Sequence, residues 1–423
     1  MVGEFGIFML GRNGLVNLFY NKYIVTLKPL KIIIFDGSFK TTPFINRLVK
    51  GLVAKHHVYI LGFNEKIAQP IHGVRYVSLG SNQNKVRLAA TSITHVFRSK
   101  KIHLLFPTLK ILLQGKRQVL QQQNLELSLE NIIPDVIHLQ WPSVIPWFEE
   151  ILLKQKFPVV LSQRGFHSNV RPFVDNENFE YLKKWFPRIA GFHSVSKAIA
   201  ANGDKIFSSP EKIDQIIFTG LPLKEIPFTE EYIRFTQLKI ISIGRAHWIK
   251  GYDYALQCCK LLKESKVPFS YTIIGGAGDE ELQFLIDNLG LKDCVVLEKR
   301  KQQKEIFKLM REASVLLMPS LEEGIPNVVV EAMAIGLPVI STDCGGITDL
   351  IDNGKEGWIV PKRDPQGMAK MIIDFLNLPK AEMENVHLRA RQKIEVQHTV
   401  EKMVEDMEEL YETVLLNFNN QIK

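Results

Sequence analysis

Short runs rich in Val, Ile and Leu, each too brief for a helix, alternate along the chain with longer stretches whose apolar residues fall at helical spacing. That alternation leaves few folds open, because strands joined through helices run parallel and need helices on both faces of their sheet. Seven such runs, at 31–36, 58–62, 74–79, 135–140, 158–163, 192–196 and 215–219, precede six more at 239–244, 270–275, 294–297, 314–319, 338–342 and 357–360. Each set would fill a sheet of its own. The 423 residues agree, since a single hydrophobic core rarely organises more than about 250–300 residues. Gly220, Pro222 and Pro227 punctuate the stretch 220–227, which reads as the linker. The expected fold class is α/β, with two doubly wound domains facing a central cleft. Loops at the carboxyl ends of the strands in both halves should project into that cleft.

The expected domain limits are an N-terminal extension of unassigned role over 1–30, a first domain over 31–222, a second over 223–394 and a closing helix over 395–423. The apolar stretch 5–10 is short, lacks a basic leader and is interrupted by Arg12 and Asn13, so it does not read as a signal sequence. No run of 18 uninterrupted apolar residues occurs, so no transmembrane helix is expected. Near the end, Val400, Met403, Val404, Met407, Leu410, Tyr411 and Val414 repeat at helical spacing, opposite an acidic face. The four cysteines (Cys258, Cys259, Cys294, Cys344) show no CxxC pairing. This argues against a disulfide scaffold or a zinc module and points to a reducing cytoplasm.

Chemistry concentrates in the second half. A buried run ending near Pro319 leads into a loop with Glu322, Glu323 and Gly324, after which Pro326 opens a helix that Gly336 ends. The free backbone N–H groups at such a helix start, on the positive end of its dipole, suit a phosphate or pyrophosphate. Glu323 and Glu331 are eight residues apart, which on a continuous helix is about 12 Å at 1.5 Å per residue. A carboxylate pair flanking one glycosidic bond sits closer, at about 5 to 9.5 Å, so the two acids suit different parts of one extended ligand. The competing reading is that both are surface glutamates. Further upstream, the run ending at Gly244 is followed by Arg245 and, five residues on, by Lys250 and Gly251. These place two cations at the carboxyl edge of the sheet, where they could neutralise a diphosphate leaving group.

Taken in order, Gly244-Arg245 with Lys250-Gly251, the stretch from Ile273 to Leu282, Glu323-Gly-Ile-Pro-Asn-Val-Val-Val-Glu331, Gly345-Gly346 and Gly354-x-x-Gly357 resemble the C-terminal half of family 4 glycosyltransferases over roughly 235–376. The first half is similar only in outline, at 134–138 and 194–197. The resemblance implies the GT-B fold, with two Rossmann-like domains, a metal-independent retaining transfer from a nucleotide-diphosphate sugar, and a final helix crossing back to the first domain. It also implies residue roles. Arg245 and Lys250 would grip the donor diphosphate, and Gly324, Ile325, Pro326, Asn327 and Val328 would complete its cradle. Glu331 would take the ribose hydroxyls, and Glu323 would act at the donor sugar. No further cofactor is implied.

The first half would supply the acceptor side. Arg164 and His167 follow a buried run, so they could face the cleft, His167 orienting acceptor or donor sugar; a hydrogen-bonded loop histidine is the plainer reading of His167. His138, inside a run, reads as structural. Gly37 and Ser38 follow the first run and could meet donor phosphates or acceptor, although the family often has two adjacent glycines there and this chain has one. From Lys66 to Asn124 there is no Asp or Glu, and this region carries the basic excess of a chain whose formal charge is +8. With an apolar stripe of Val86, Ala89, Ala90, Ile93, Val96 and Phe97, this block suits either an anionic membrane face or an ordinary solvated surface. No nucleic-acid-binding module is present.

The expectation is therefore a hexosyltransferase that uses a polysaccharide or lipid-linked glycan acceptor, cytoplasmic or peripheral at the inner membrane face. Three rivals remain: a nucleotide-sugar epimerase of the same fold, a non-catalytic carbohydrate-binding protein, and a nicotinamide-dependent oxidoreductase. The last lacks the third glycine of its fingerprint, since Glu281 stands there.

Overall fold

The computed structural model describes residues 28–63, 70–232 and 237–422. The expected extension over 1–30 falls almost wholly outside the described residues, and Lys66 of the basic block lies outside them as well. Each of the expected runs is a strand, and every pairing between strands is parallel. The first sheet has seven strands, β1 (Lys31–Gly37), β2 (His57–Gly62), β3 (Arg75–Ser78), β4 (Val136–Leu139), β5 (Val159–Gln163), β6 (Gly191–Ser194) and β7 (Asp214–Ile216), in the order β3-β2-β1-β4-β5-β6-β7. The second has six, β8 (Leu238–Ile243), β9 (Phe269–Ile274), β10 (Val295–Glu298), β11 (Val315–Met318), β12 (Val339–Thr342) and β13 (Trp358–Val360), in the order β10-β9-β8-β11-β12-β13. Both are doubly wound, and the strand order reverses between β1 and β4 and again between β8 and β11. Loops leaving those strands open the crevice where such sheets take ligands.

Burial follows from this layering. Ile32, Ile33, Ile34 and Phe35 of β1 are all inaccessible, because a central parallel strand is covered on both faces. Four helices matter for the first domain: α1 (Pro43–Leu52), α2 (Lys85–Arg98), α3 (Leu105–Leu113) and α4 (Arg117–Ile132). The helix Lys380–Gln397 lies on the second domain, and after a break at His398 and Thr399 the helix Val400–Ile422 begins. That last helix belongs to the core of the first domain: Met403, Met407, Leu410, Tyr411 and Val414 pack with β1, β2 and α1. Glu408 fixes its azimuth, accepting from Lys55 at 2.8 Å and meeting His56 Nε2 at 3.1 Å.

The chain thus passes between domains twice, and the passages touch. Leu221 N donates to His398 O at 2.7 Å, and Leu221 bridges Thr399. Gly220 belongs at this crossing because a Cβ there would come within 2.5 Å of the Thr399 carbonyl oxygen.

Candidate active site

The second domain offers two loops from its reversal point, after β8 and after β11. Gly244 follows β8, and the turn Trp248–Lys250 then delivers the chain to Gly251, at φ +62°. Only glycine fits Gly251, since a side chain there would strike the carbonyl of Pro319 in the neighbouring loop. That close approach sets Lys250 against the β11 loop. Its Nζ donates to Glu323 Oε1 at 2.5 Å, and Ser320 Oγ donates to the same oxygen at 3.1 Å. Arg245 is exposed in the same loop after β8, with no ion pair among the described residues.

The helix Asn327–Ile335 begins one residue later than the sequence suggested, with Pro326 capping it instead of forming its first turn. Pro326 supplies no donor. Among the described residues, the amides of Asn327 and Val328 donate to nothing, and no side chain caps them. Glu323 therefore sits in the loop, off the helix, so the continuous-helix spacing to Glu331 does not apply to this pair. Glu331 is on the helix and half-buried. Burial pushes its carboxyl up, partly offset by a hydrogen bond from Gln303 and by the charge of Arg47.

Arg47 was not legible in the sequence. It lies on α1 of the first domain, half-buried, and the carboxylate of Glu331 is the charge that supports its own ionisation. Asn169 was missed as well, and Glu322, named with its loop, was given no role. Asn169 Nδ2 donates to Glu322 Oε1 at 2.9 Å and to Glu323 O at 2.8 Å, and Lys362 Nζ reaches Glu322 Oε2 at 3.2 Å. The two adjacent glutamates are thus divided: Glu322 binds the other domain and Glu323 faces Lys250. Gly324 comes so near the backbone of Gly165 that a Cβ would lie 2.9 Å from its nitrogen, and Lys197 N donates to Asp349 Oδ2 at 2.8 Å across the same cleft. The domains stand closed on one another.

On the first domain, Gly37 (φ +82°) turns the chain out of β1, and Ser38 N donates to Asp36 Oδ1 at 2.7 Å. Burial raises the Asp36 carboxyl to about 6. Arg164 is almost wholly buried at the end of β5. Its Nη2 donates to Ser162 Oγ at 3.1 Å and Gln140 Oε1 at 3.4 Å, and its guanidinium lies 4.4 Å from the centre of the Phe44 ring. No carboxylate pairs with it among the described residues, its Nε has no partner, and burial lowers it to about 9. A buried guanidinium with neutral neighbours is costly unless an anion arrives.

His167 follows on the short helix Phe166–Asn169, half-buried near Trp141, with burial and then Arg171 lowering its pKa. It makes no side-chain hydrogen bond among the described residues, contrary to the plainer reading of it. His138 is buried between Tyr411 Oη at 2.7 Å and Ser162 Oγ at 2.8 Å. Arg245, Lys250, Glu323 and the helix start thus share one end of the cleft. Gly37, Ser38 and Arg164 lie at strand ends of the other wall.

Residues 228–393 match the family described as glycosyl transferases group 1. The putative colanic acid biosynthesis glycosyltransferase WcaL of Escherichia coli is 36% identical over 199 residues, covering 45% of this chain and 47% of that protein. The amylovoran biosynthesis glycosyltransferase AmsK of Erwinia amylovora is 39% identical over 167 residues, covering 38% and 41%. The chain is therefore matched to less than half the length of these relatives. Among solved structures, sucrose-phosphate synthase from Thermosynechococcus elongatus superposes with a TM-score of 0.71 at 15% identity, over 92% of this chain and 100% of that one. Anabaena HepE, solved with UDP and glucose, does so with a TM-score of 0.67 at 15% identity, over 91% and 100%. Residues 228–393 are thus similar to the group 1 glycosyltransferases, and the described residues have the two-domain GT-B fold.

Proposed function

We propose that the protein is a retaining glycosyltransferase that moves a hexose-type sugar from a nucleotide-diphosphate donor to a polysaccharide or lipid-linked glycan acceptor, at the cytoplasmic face of a membrane. The observation that carries this reading is the cluster of Arg245, Lys250 and the undonated amides of Asn327 and Val328 at the reversal point of the second sheet. Colanic acid and amylovoran biosynthesis are named for two of the relatives, and UDP with glucose for one solved neighbour, which supports a nucleotide-sugar donor and a polysaccharide product.

In the transfer, the bond between the anomeric carbon and the diphosphate oxygen breaks and its electron pair leaves with the diphosphate, while an acceptor hydroxyl oxygen bonds to the anomeric carbon and its proton passes to the departing diphosphate. Negative charge grows on those oxygens, so fixed cations and N–H dipoles aimed there lower the barrier. With donor bound, Lys250 would divide its charge between Glu323 and the diphosphate, and Arg245 would close from solvent. Glu323, held by Ser320, would meet the donor sugar, and Glu331 would take the ribose hydroxyls in place of its present contact with Gln303. His167 and Arg164 would border the acceptor, and Gly37 and Ser38 would admit it or the donor phosphates.

Thermal melting with UDP- and GDP-sugars tests the donor site, since a ligand of the folded state raises its melting temperature. At least one nucleotide-sugar should do so, and Arg245→Ala should abolish the shift. For Lys250→Ala, turnover is expected to fall about 10²–10³-fold, the loss typical of removing a preorganised charge or donor. The anomeric configuration of the product, read by NMR, decides between retention and inversion. An unaltered melting shift in Arg245→Ala would remove the diphosphate assignment.

A further inference from the structure

Four large apolar side chains stand exposed in a row on the first domain, uncovered by any of the described residues. Ile102, Phe106, Leu109 and Leu113 are spaced i, i+4, i+7 and i+11 along the turn Ile102–Leu104 and α3, so they share one helical face. They are 63, 78, 41 and 90% exposed. The other side of α3 rests on α2 and α4, where Thr108 is buried and accepts from Gln123 Nε2 at 2.7 Å. This relocates the apolar stripe expected on α2. That helix buries Leu88, His95 and Val96 against its neighbours, which leaves only Val86 and Phe97 of the expected stripe as large exposed groups.

The charge around α3 has one sign. Lys100, Lys101, Lys110, Lys116 and Arg117 lie along it in the sequence, and the segment itself contains no carboxylate. The nearest acids in sequence are Glu126 and Glu130 on α4; Glu130 is engaged by Lys101 at 2.5 Å. A contiguous apolar face rimmed by cations fits the headgroup boundary of an anionic bilayer, where the side chains enter the acyl edge and the cations meet lipid phosphates. A second copy of the chain fits poorly, since a two-fold contact would set this cationic rim against itself.

We propose that α3 and the turn before it form an interfacial anchor lying in the plane of an anionic membrane, with the stripe Ile102, Phe106, Leu109 and Leu113 buried in it. The inference deepens the membrane-face part of the proposed function, and because the surface contains none of the cleft residues, a failure of membrane binding would leave the transfer reaction itself untouched.

The test is flotation of the full chain with vesicles of phosphatidylcholine alone and of phosphatidylcholine mixed with phosphatidylglycerol. Binding is expected only with the anionic lipid and should weaken with salt. The variant carrying Phe106→Ser and Leu113→Ser should lose about tenfold or more of that partitioning. Because both positions are exposed, its melting temperature should not change. A Leu109→Trp variant should show an emission blue shift on anionic vesicles. Equal binding by the serine variant, equal binding to neutral vesicles, or a wild-type dimer that the serine variant dissolves would each overturn the proposal.

Discussion

Arg164 separates stability from function at a single residue. A buried guanidinium with no carboxylate near it adds little to folding, and replacing such a group by an apolar one of similar length is often neutral or stabilising. Arg164→Met keeps the contact with Phe44 and removes the charge. Its melting temperature is expected to equal or exceed that of the wild type, while the KM for acceptor rises about tenfold, the loss of one charge-assisted hydrogen bond. A drop in melting temperature with normal kinetics would make Arg164 a structural group instead. This residue was visible in the sequence because it follows a buried run. Arg47, Asn169, Lys362 and the role of Glu322 were not, for a physical reason: each acts through a partner distant along the chain, and a pattern read within one segment carries no sign of that partner. Glu322 and Glu323 show the limit most plainly. They are adjacent acids in one loop, and only the packing of the other domain decides which of them faces Lys250.

At the scale of elements, the strand-loop-helix grammar was legible almost entirely. A fully buried strand reads as a continuous apolar run, and Pro and Gly mark the helix ends at 326 and 336. What failed was the position of the helix start, because proline tolerates both the cap and the first turn. The helix Asn327–Ile335 permits a direct test of its amides. Pro326 has ψ near 100°, which suits a following proline, and the first helical position needs no donor for the helix itself. Asn327→Pro therefore removes one N–H without breaking the fold, and Asn327→Ala removes the side chain alone. Donor affinity is expected to fall about tenfold or more in Asn327→Pro relative to Asn327→Ala, at similar melting temperatures, as measured by calorimetric titration. Equal affinities would mean that the amide does not touch the ligand.

For the whole molecule, buried histidines set the response to acid. Burial lowers His193 to about 3 and His398 to about 4, below the ordinary value of 6.5. The unfolded chain takes up these protons first, so the stability they confer is complete above about pH 6.5 and is lost as pH falls through the folded values. Each such group contributes a slope of about 1.4 kcal/mol per pH unit within its window. Denaturation midpoints are thus expected to fall steeply from pH 6.5 to 4.5. His398→Asn should reduce the slope by about one proton, even if it lowers stability at neutral pH; an unchanged slope would mean that His398 is already protonated in the native state.

His398 also marks where the backbone returns beside Leu221, and among the described residues the two peptide connections between the halves run side by side there. Everything else holding the halves together, such as Asn169 on Glu322 or Lys197 on Asp349, is non-covalent. The molecule is bound like a book along one spine. Whatever enters or leaves between its covers can part them only by turning about that edge, so both covers stay in register from one reading to the next.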